Sequence, residues 1–474
     1  MPLVILCLGV GLILSLRMGF PQIRLFGNMI GLLASDDKKQ KGSSAKEGGT
    51  EEHKGISGFQ AFATTVGARV GMGNIAGIAS AIYFGGPGAV FWMWIIAIIG
   101  AASAFTEATL GQAYKQRTEK GVLVGGPAYY IEKGLKCKPY AILFAIIAFL
   151  GPGLLLPGVQ INSLVIVFEE AFSVDRVVVG AICCVFLAMV VCGGIRRIAK
   201  LAELLAPAMC LVYIALAVII LGMHATEIPA MLGTIVTSAV GVHPVLGAII
   251  GSAISWGVKR GIYSNEAGMG CGAIVSAAAE CSHPAKQGLI QACSIYADTL
   301  LVGTATALII LLTGMYDVMG ADNVTLLIDQ TGGIENGIAW TQAALTATYG
   351  DWCGKLLAII IVLFVFTSMT GYCYQAESNV NYLTKGNKAA IWGARVIFVA
   401  AAFFGACVEA DAAWSLGDIG YGLMGWANII AILLLSGKAA AMLKDYEKQR
   451  KAGKNPVFDP DQFGIEDETG AWKR

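Results

Sequence analysis

The sequence predicts an all-α polytopic membrane protein of about eleven transmembrane helices: one extra helix, then two five-helix halves of opposite orientation. Three observations carry this. Of 474 residues, 56% are hydrophobic and 14% charged, and mean hydropathy is +0.68. A soluble chain carries about 25% charged residues, and here apolar runs recur along the whole length. Two of those runs are interrupted mid-span by glycines and polar residues, at matching places in the two halves. Basic residues sort to one side of the spans, as positive charge does in membrane proteins.

A helix needs about 20 apolar residues to cross the hydrocarbon core. Such runs cover residues 2–19, 57–83, 87–114, 139–170, 177–194, 199–222, 246–276, 287–315, 353–384, 389–408 and 412–437. The first is followed by Arg17 and Arg24, which suits a retained anchor rather than a cleaved signal. Residues 1–56 then form the extra helix and a cytoplasmic linker, 57–222 the first repeat, 223–245 an extracellular connection and 246–437 the second repeat. The charged tail 438–474, with Pro456 and Pro460, reads as solvated and partly disordered. Alternating sides place Lys38, Lys46, Lys54, Lys120, Lys133, Arg196, Arg197, Lys286, Lys385 and the basic tail inside. Acids such as Glu169, Asp317, Asp322, Glu335 and Glu409 fall outside. The N-terminus is therefore expected outside, the C-terminus in the cytoplasm, and the chain in the cell membrane.

Composition also excludes classes. A net charge of +1 argues against nucleic acid. Four scattered histidines argue against a histidine-built metal centre, and the twelve cysteines, without a C-x-x-C pair, read as small reduced hydrophobes. No clustered nucleophile and base suggests an enzyme.

The interrupted segments are TVGARVGMGNIAG (65–77) and WGVKRGIYSNEAGMG (256–270). Gly71-Met72-Gly73-Asn74-Ile75-Ala76 has the outline of a dinucleotide-binding turn, but that motif needs a preceding strand and an acid about 20 residues on. The corresponding position is Met93, inside an apolar run, and no P-loop pattern occurs, so no nucleotide is expected. Glycine weakens a helix by about 1 kcal/mol relative to alanine, and polar groups at this depth mark function. With the first helix set aside, each segment opens a five-helix half. Paired broken helices in inverted halves point to a transporter binding site.

Where the first segment unwinds, the following half-helix presents unpaired N–H groups and a positive dipole end. The amides of Met72, Gly73 and Asn74 suit a carboxylate, and the freed carbonyls of Gly67, Ala68 and Val70 suit a hard cation. Gln160 follows Pro157 and Gly158 mid-span and can meet both ends of an amino acid. A lone buried arginine is costly, so Arg69 is expected in a structural or gating ion pair with Glu107, Glu266, Asp298 or Glu377; Lys259 and Arg260 are expected in a similar role near the outer vestibule.

The runs 67–114, GVKRGIYSNEAGMG (257–270) and PGVQINS (157–163) resemble the signature of the alanine or glycine:cation symporter family, from the first helix to about residue 436. The resemblance implies a LeuT-like fold and coupling of amino-acid uptake to sodium, or in some members to protons, without enzyme activity. It implies a sodium site made by first-segment carbonyls with the hydroxyls of Thr367 and Ser368; the alternative is that these bond to their own helix. It also turns Ser264, Asn265 and Glu266 toward the substrate, Glu266 having an ion-pair role as its alternative. Many relatives have threonine at the position of Met72 and tryptophan at Tyr372, which lies near the substrate side chain. The expected cargo is a small neutral amino acid, alanine or glycine first, glutamine or another polar amino acid in the alternative. A channel or sensor is the distant rival.

Overall fold

Long apolar runs become helices packed side by side, and the polar interruptions become breaks. The structure, a computed structural model, describes residues 2–43, 55–119, 121–191, 194–243 and 245–472. Lys46, Lys54 and Lys120 of the charge pattern lie outside the described residues, as do the side chains of Lys38, Arg196 and Arg197. The helices are α1 (Pro2–Met18), α2 (Pro21–Arg24), α3 (Phe26–Ser43), α4 (Gly58–Arg69), α5 (Ala76–Gly85), α6 (Gly88–Ala113), α7 (Pro127–Gly134), α8 (Lys138–Leu150), α9 (Pro157–Phe172), α10 (Arg176–Val191) and α11 (Gly194–Met223). There follow α12 (Ile228–Ala239), α13 (Ile250–Asn265), α14 (Cys271–Ala277), α15 (Pro284–Ile295), α16 (Thr304–Leu312), α17 (Ile338–Tyr349), α18 (Asp351–Thr384), α19 (Lys388–Cys407) and α20 (Ala410–Lys451). Two small hairpins, β1–β2 (Gln116–Arg117 with Leu123–Val124) and β3–β4 (Val318–Met319 with Leu326–Ile328), sit in connections.

Among the described residues, seven helical spans are long and apolar enough to cross a bilayer: Gly88–Ala113, Lys138–Phe172, Glu203–Met223, Pro284–Leu312, Asp351–Thr384, Lys388–Cys407 and Ala410–Lys451. Pro2–Met18, Met72–Gly85 and Arg176–Val191 are apolar but shorter. The expected runs 57–83 and 246–276 are split into α4/α5 and α13/α14. The connection 223–245 is itself partly helical, as α12.

The breaks pack against each other. α13 lies on α5 and α14 on α4; α6 runs along α5, α13 and α14, and α15 covers α4 and α14. Residue 56, just before α4, bridges to Ala279, just after α14. The first half-helix therefore starts at the face where the second ends, as an inverted pair requires. α9, α10, α18 and α19 form a second group, and α18 joins the two by touching both α4 and α9. α1 packs on α6 and α20.

The tail differs from expectation. α20 continues to Lys451, well past the apolar run ending near residue 437, and the following chain folds back on the protein. Phe458 and Ile465 are buried. Phe458 N donates to Ser282 O at 2.8 Å, Trp472 Nε1 to Ala113 O at 3.3 Å, and Lys115 Nζ lies 4.0 Å over the Trp472 ring. Three apolar anchors in a polar segment are enough to dock it, because each finds a prepared contact. The docked tail and the start of α15 share one surface, the C-terminal face.

Candidate functional site

α4 ends at Arg69; Val70 N still reaches Val66 O at 2.7 Å, and then the helix stops. One 3₁₀ turn, Met72–Asn74, bridges to α5. Gly73 is needed there because a Cβ would sit 3.1 Å from Ser264 Cα and 3.2 Å from the Tyr263 ring. The second break runs through left-handed backbone at Glu266 (φ 53), Gly268 (φ 82) and Gly270 (φ 92), conformations that glycine adopts without steric cost. Asn265 Oδ1 accepts Ala267 N at 3.0 Å, so half of its amide closes this turn rather than facing a ligand. Glu107, from α6, holds the far side of the break: its Oε2 accepts Gly270 N at 2.9 Å and Asn428 Nδ2 at 3.0 Å.

A hydrogen-bonded chain links the two breaks through the second helix group. Met72 N donates to Gln160 Oε1 at 3.3 Å, and Gln160 Nε2 donates to Tyr372 OH at 3.3 Å. Tyr372 OH meets Tyr421 OH at 2.9 Å, and Tyr421 OH donates to Glu266 Oε1. All of these residues are buried. A π-helical stretch, Gly151–Leu155, precedes Pro157 and delivers Gln160 to the break. The sequence places Met72, Gln160 and Tyr372 here; Tyr421 it missed, because nothing in the α20 run distinguishes that tyrosine.

Ser264 and Asn74 belong to a different cluster. Asn74 Nδ2 donates to the Asp298 carboxylate and Ser264 Oγ to Asn74 Oδ1. Ser264 Oγ also lies 2.9 Å from Asp298 Oδ2, and Thr299 Oγ1 donates to the same oxygen at 2.7 Å. The sequence offered Asp298 only as a partner for Arg69. Its place comes from a π-helical stretch, Tyr296–Gly303, between α15 and α16, a distortion often found at functional sites and without a sequence signal of its own.

The sodium candidates separate into two behaviours. Ser368 Oγ donates to Gly67 O, a carbonyl released by the break, at 3.2 Å. Thr367 Oγ1 instead bonds back to Leu363 O at 3.0 Å and Phe364 O at 2.9 Å. α18 brings both beside the break: a Cβ on Gly67 would lie 3.2 Å from Thr367 Cβ, and Gly371 packs on Ala68.

The charged residues also divide. Lys259 Nζ meets Asp418 Oδ2 at 2.7 Å and Arg260 Nη1 meets Asp418 Oδ1 at 2.9 Å. Arg260 is wedged between Trp256 and Trp414, 5.2 and 4.6 Å from their rings. Arg69 and Glu266 depart from the ion pairs expected of them. Arg69 Nη1 bonds Ser294 Oγ and Gln291 O, and Glu266 takes a tyrosine hydroxyl; among the described residues neither has an opposite charge within ion-pair distance. A cavity of about 850 Å³ lies elsewhere. It lies between β1–β2, α7 and the ends of α18 and α19, and no expected site residue lines it.

A family model described as the sodium:alanine symporter family matches residues 1–460. The chain belongs to the sodium:alanine symporter family. The "Sodium/proton-dependent alanine carrier protein" of Bacillus sp. (strain PS3) is 43% identical over 423 residues, 88% of this chain and 94% of that protein. The "Probable sodium/glutamine symporter GlnT" of Bacillus subtilis (strain 168) is 42% identical over 457 residues, 96% of this chain and 90% of that one. Among solved structures, MhsT in complex with L-phenylalanine matches with a TM-score of 0.56 at 16% identity, covering 87% of this chain and 95% of that one. That likeness establishes the LeuT-like fold of this symporter-family member.

Proposed function

We propose that this protein is a secondary active symporter that couples uptake of a small neutral amino acid, alanine or glycine foremost, to sodium by alternating access in the cell membrane. The observation that carries the reading is the α4/α5 break, which offers released carbonyls beside Ser368 on one side and an amide beside Gln160 on the other. A zwitterion and a hard cation need those two groups at close quarters. In this reading the substrate carboxylate takes the Met72, Gly73 and Asn74 amides, displacing Gln160 Oε1 from Met72 N, and Gln160 turns to the substrate. Sodium takes the carbonyls of Gly67, Ala68 and Val70 with Ser368, and Thr367 after its hydroxyl rotates. Ser264 reports on the substrate through the Asp298 cluster. Lys259, Arg260 and Asp418 close the outer side, with the C-terminal face in the cytoplasm.

A second cargo has its own support. Tyr372, Tyr421 and Glu266 line the chain with hydroxyl and carboxylate groups, which a glutamine amide satisfies better than a methyl group does, and one relative is named for glutamine. Competition of all twenty amino acids against labelled alanine, with and without sodium, decides. Strongest competition by alanine and glycine, only with sodium, is expected; competition by glutamine above both moves the cargo to the amide, and equal competition without sodium removes the sodium coupling.

A further inference from the structure

Around the two breaks three buried carboxylates, Glu107, Glu266 and Asp298, face one buried guanidinium, Arg69. Lys259 and Arg260 share Asp418, and the surplus charge there is on a lysine 39% exposed to solvent, so it does not serve the interior. Unpaired charge in a low-dielectric interior is costly. The site therefore needs added positive charge, and one sodium supplies only part of it.

The three acids are not equivalent. Asp298 accepts from Asn74 and Thr299 beside Ser264 Oγ; Glu266 accepts Tyr421 at Oε1 and, like Glu107, keeps one oxygen without a hydrogen-bond partner among the described residues, so what sets Glu107 apart is what faces its free oxygen. Glu107 has both its donors on Oε2, and Oε1 has no hydrogen-bond partner. Opposite it, Arg69 Nε and Nη2 and Gln291 Nε2 also lack partners among the described residues. All surround one glycine: a Cβ on Gly272 would lie 2.9 Å from Arg69 Nη2, 3.3 Å from Glu107 Oε1 and 3.7 Å from Gln291 Oε1. One helical turn nearer the C-terminal face, the buried side chains of Thr65 on α4 and Gln287 on α15 also lack partners. Buried polar atoms of this kind hold water, so these side chains outline a polar file from Glu107 toward that face.

We propose that Glu107 is a proton-binding site of the transport cycle, loaded at Oε1 and discharged along the Arg69–Gln291–Gln287 file. The inference rests on the symport reading and names a site for a second coupling ion. The proton is carried unchanged: it forms an O–H on Oε1, cancels one carboxylate charge, and leaves to water in the file as the carboxylate returns to face Arg69. The titratable or charged groups that face Glu107 are Arg69 from α4, Glu266 and Cys271 at the second break, and Tyr130 from α7; α15 and α20 face it with Gln291 and Asn428, which do not titrate.

The test uses the full chain in proteoliposomes at a fixed sodium gradient. The readout is the ratio of alanine uptake with an inward proton gradient to uptake without one, and a pH dye in the lumen follows proton entry. Wild type is expected to show a ratio of about fivefold, the lower end of typical coupling, with amino-acid-driven proton entry. Glu107→Gln, which keeps the acceptor for Gly270 N, is expected to show a ratio near one whatever its rate. A wild-type ratio in Glu107→Gln overturns the assignment. So does a wild type with sodium-driven uptake but no proton response, and that outcome leaves sodium symport standing. Absence of ion-driven uptake altogether overturns the transport reading first. If Glu107→Gln is not recovered in the membrane, Gln287→Leu, which dries the file without touching the carboxylate, is expected to lower the ratio, and an unchanged ratio overturns the path.

Discussion

Thr367 and Ser368 are adjacent, yet only Ser368 turns its hydroxyl onto Gly67 O, while Thr367 is satisfied by its own helix. Ser368→Ala is therefore expected to raise the sodium concentration for half-maximal uptake by about fivefold, the loss of one hydrogen-bonding group of about 1 kcal/mol, and Thr367→Ala by less. Sodium titration of uptake checks the order, and an unchanged sodium dependence in both variants would place the cation elsewhere. Gln160 bridges Met72 N and Tyr372 OH; Gln160→Ala is expected to raise KM for alanine about tenfold, at a cost of about 1.4 kcal/mol, with wild-type KM removing it from the site. The sequence showed which residue types lie mid-span at these positions. It did not show direction, because successive helical residues point about 100° apart and only the packing of α18 on α4 selects one hydroxyl. The neutral partners of Arg69 were not legible for a related reason: Gln291 and Ser294 lie on α15, far along the chain.

The two breaks were legible as elements because glycine and polar residues interrupt otherwise apolar runs. Gly270 carries φ 92, and its amide is bound by Glu107. Gly270→Ala is expected to abolish uptake or cut it at least tenfold through backbone strain of about 1–2 kcal/mol plus displaced neighbours; near-normal uptake would show that the second break is not needed in this form. The docked tail was not legible, since Phe458, Ile465 and Trp472 show no period and their partners are distant in sequence. His283 meets this segment ring to ring, 5.7 Å from Phe458. It caps α15 through Nδ1, which accepts Ala285 N at 3.2 Å, and its Nε2 lies 3.2 Å from Asp445 Oδ2. Burial holds its pKa down to about 4, against the opposing pull of Asp445. The folded form thus binds fewer protons than the unfolded form between that value and the ordinary 6.5, so stability rises with pH across this window and is lost as pH falls through it. Hydrogen exchange of residues 453–472 is expected to quicken from pH 7 to pH 5 in wild type more than in His283→Asn, and equal responses would assign the acid effect to other groups.

At the scale of the molecule, two helix groups meet along the Met72–Gln160–Tyr372–Tyr421–Glu266 chain, with a charged closure above it at Asp418 and the folded tail below. Removing the Asp418 charge leaves Lys259 and Arg260 side by side. The pair is partly solvated, so the penalty is smaller than for a fully buried one, and Asp418→Asn is expected to lower alanine uptake several-fold at unchanged expression. The inverted architecture was readable from paired broken helices in odd-numbered halves; the number of spans that cross on their own was not, because broken and short helices depend on neighbours for cover. The central claim is that an ion bound at the α4/α5 break drives an amino acid inward. Labelled alanine uptake by proteoliposomes under an imposed sodium gradient tests it most directly. The account predicts saturable accumulation above the external concentration that collapses when the gradient is dissipated; unsaturated uptake, or accumulation indifferent to the gradient, would contradict it.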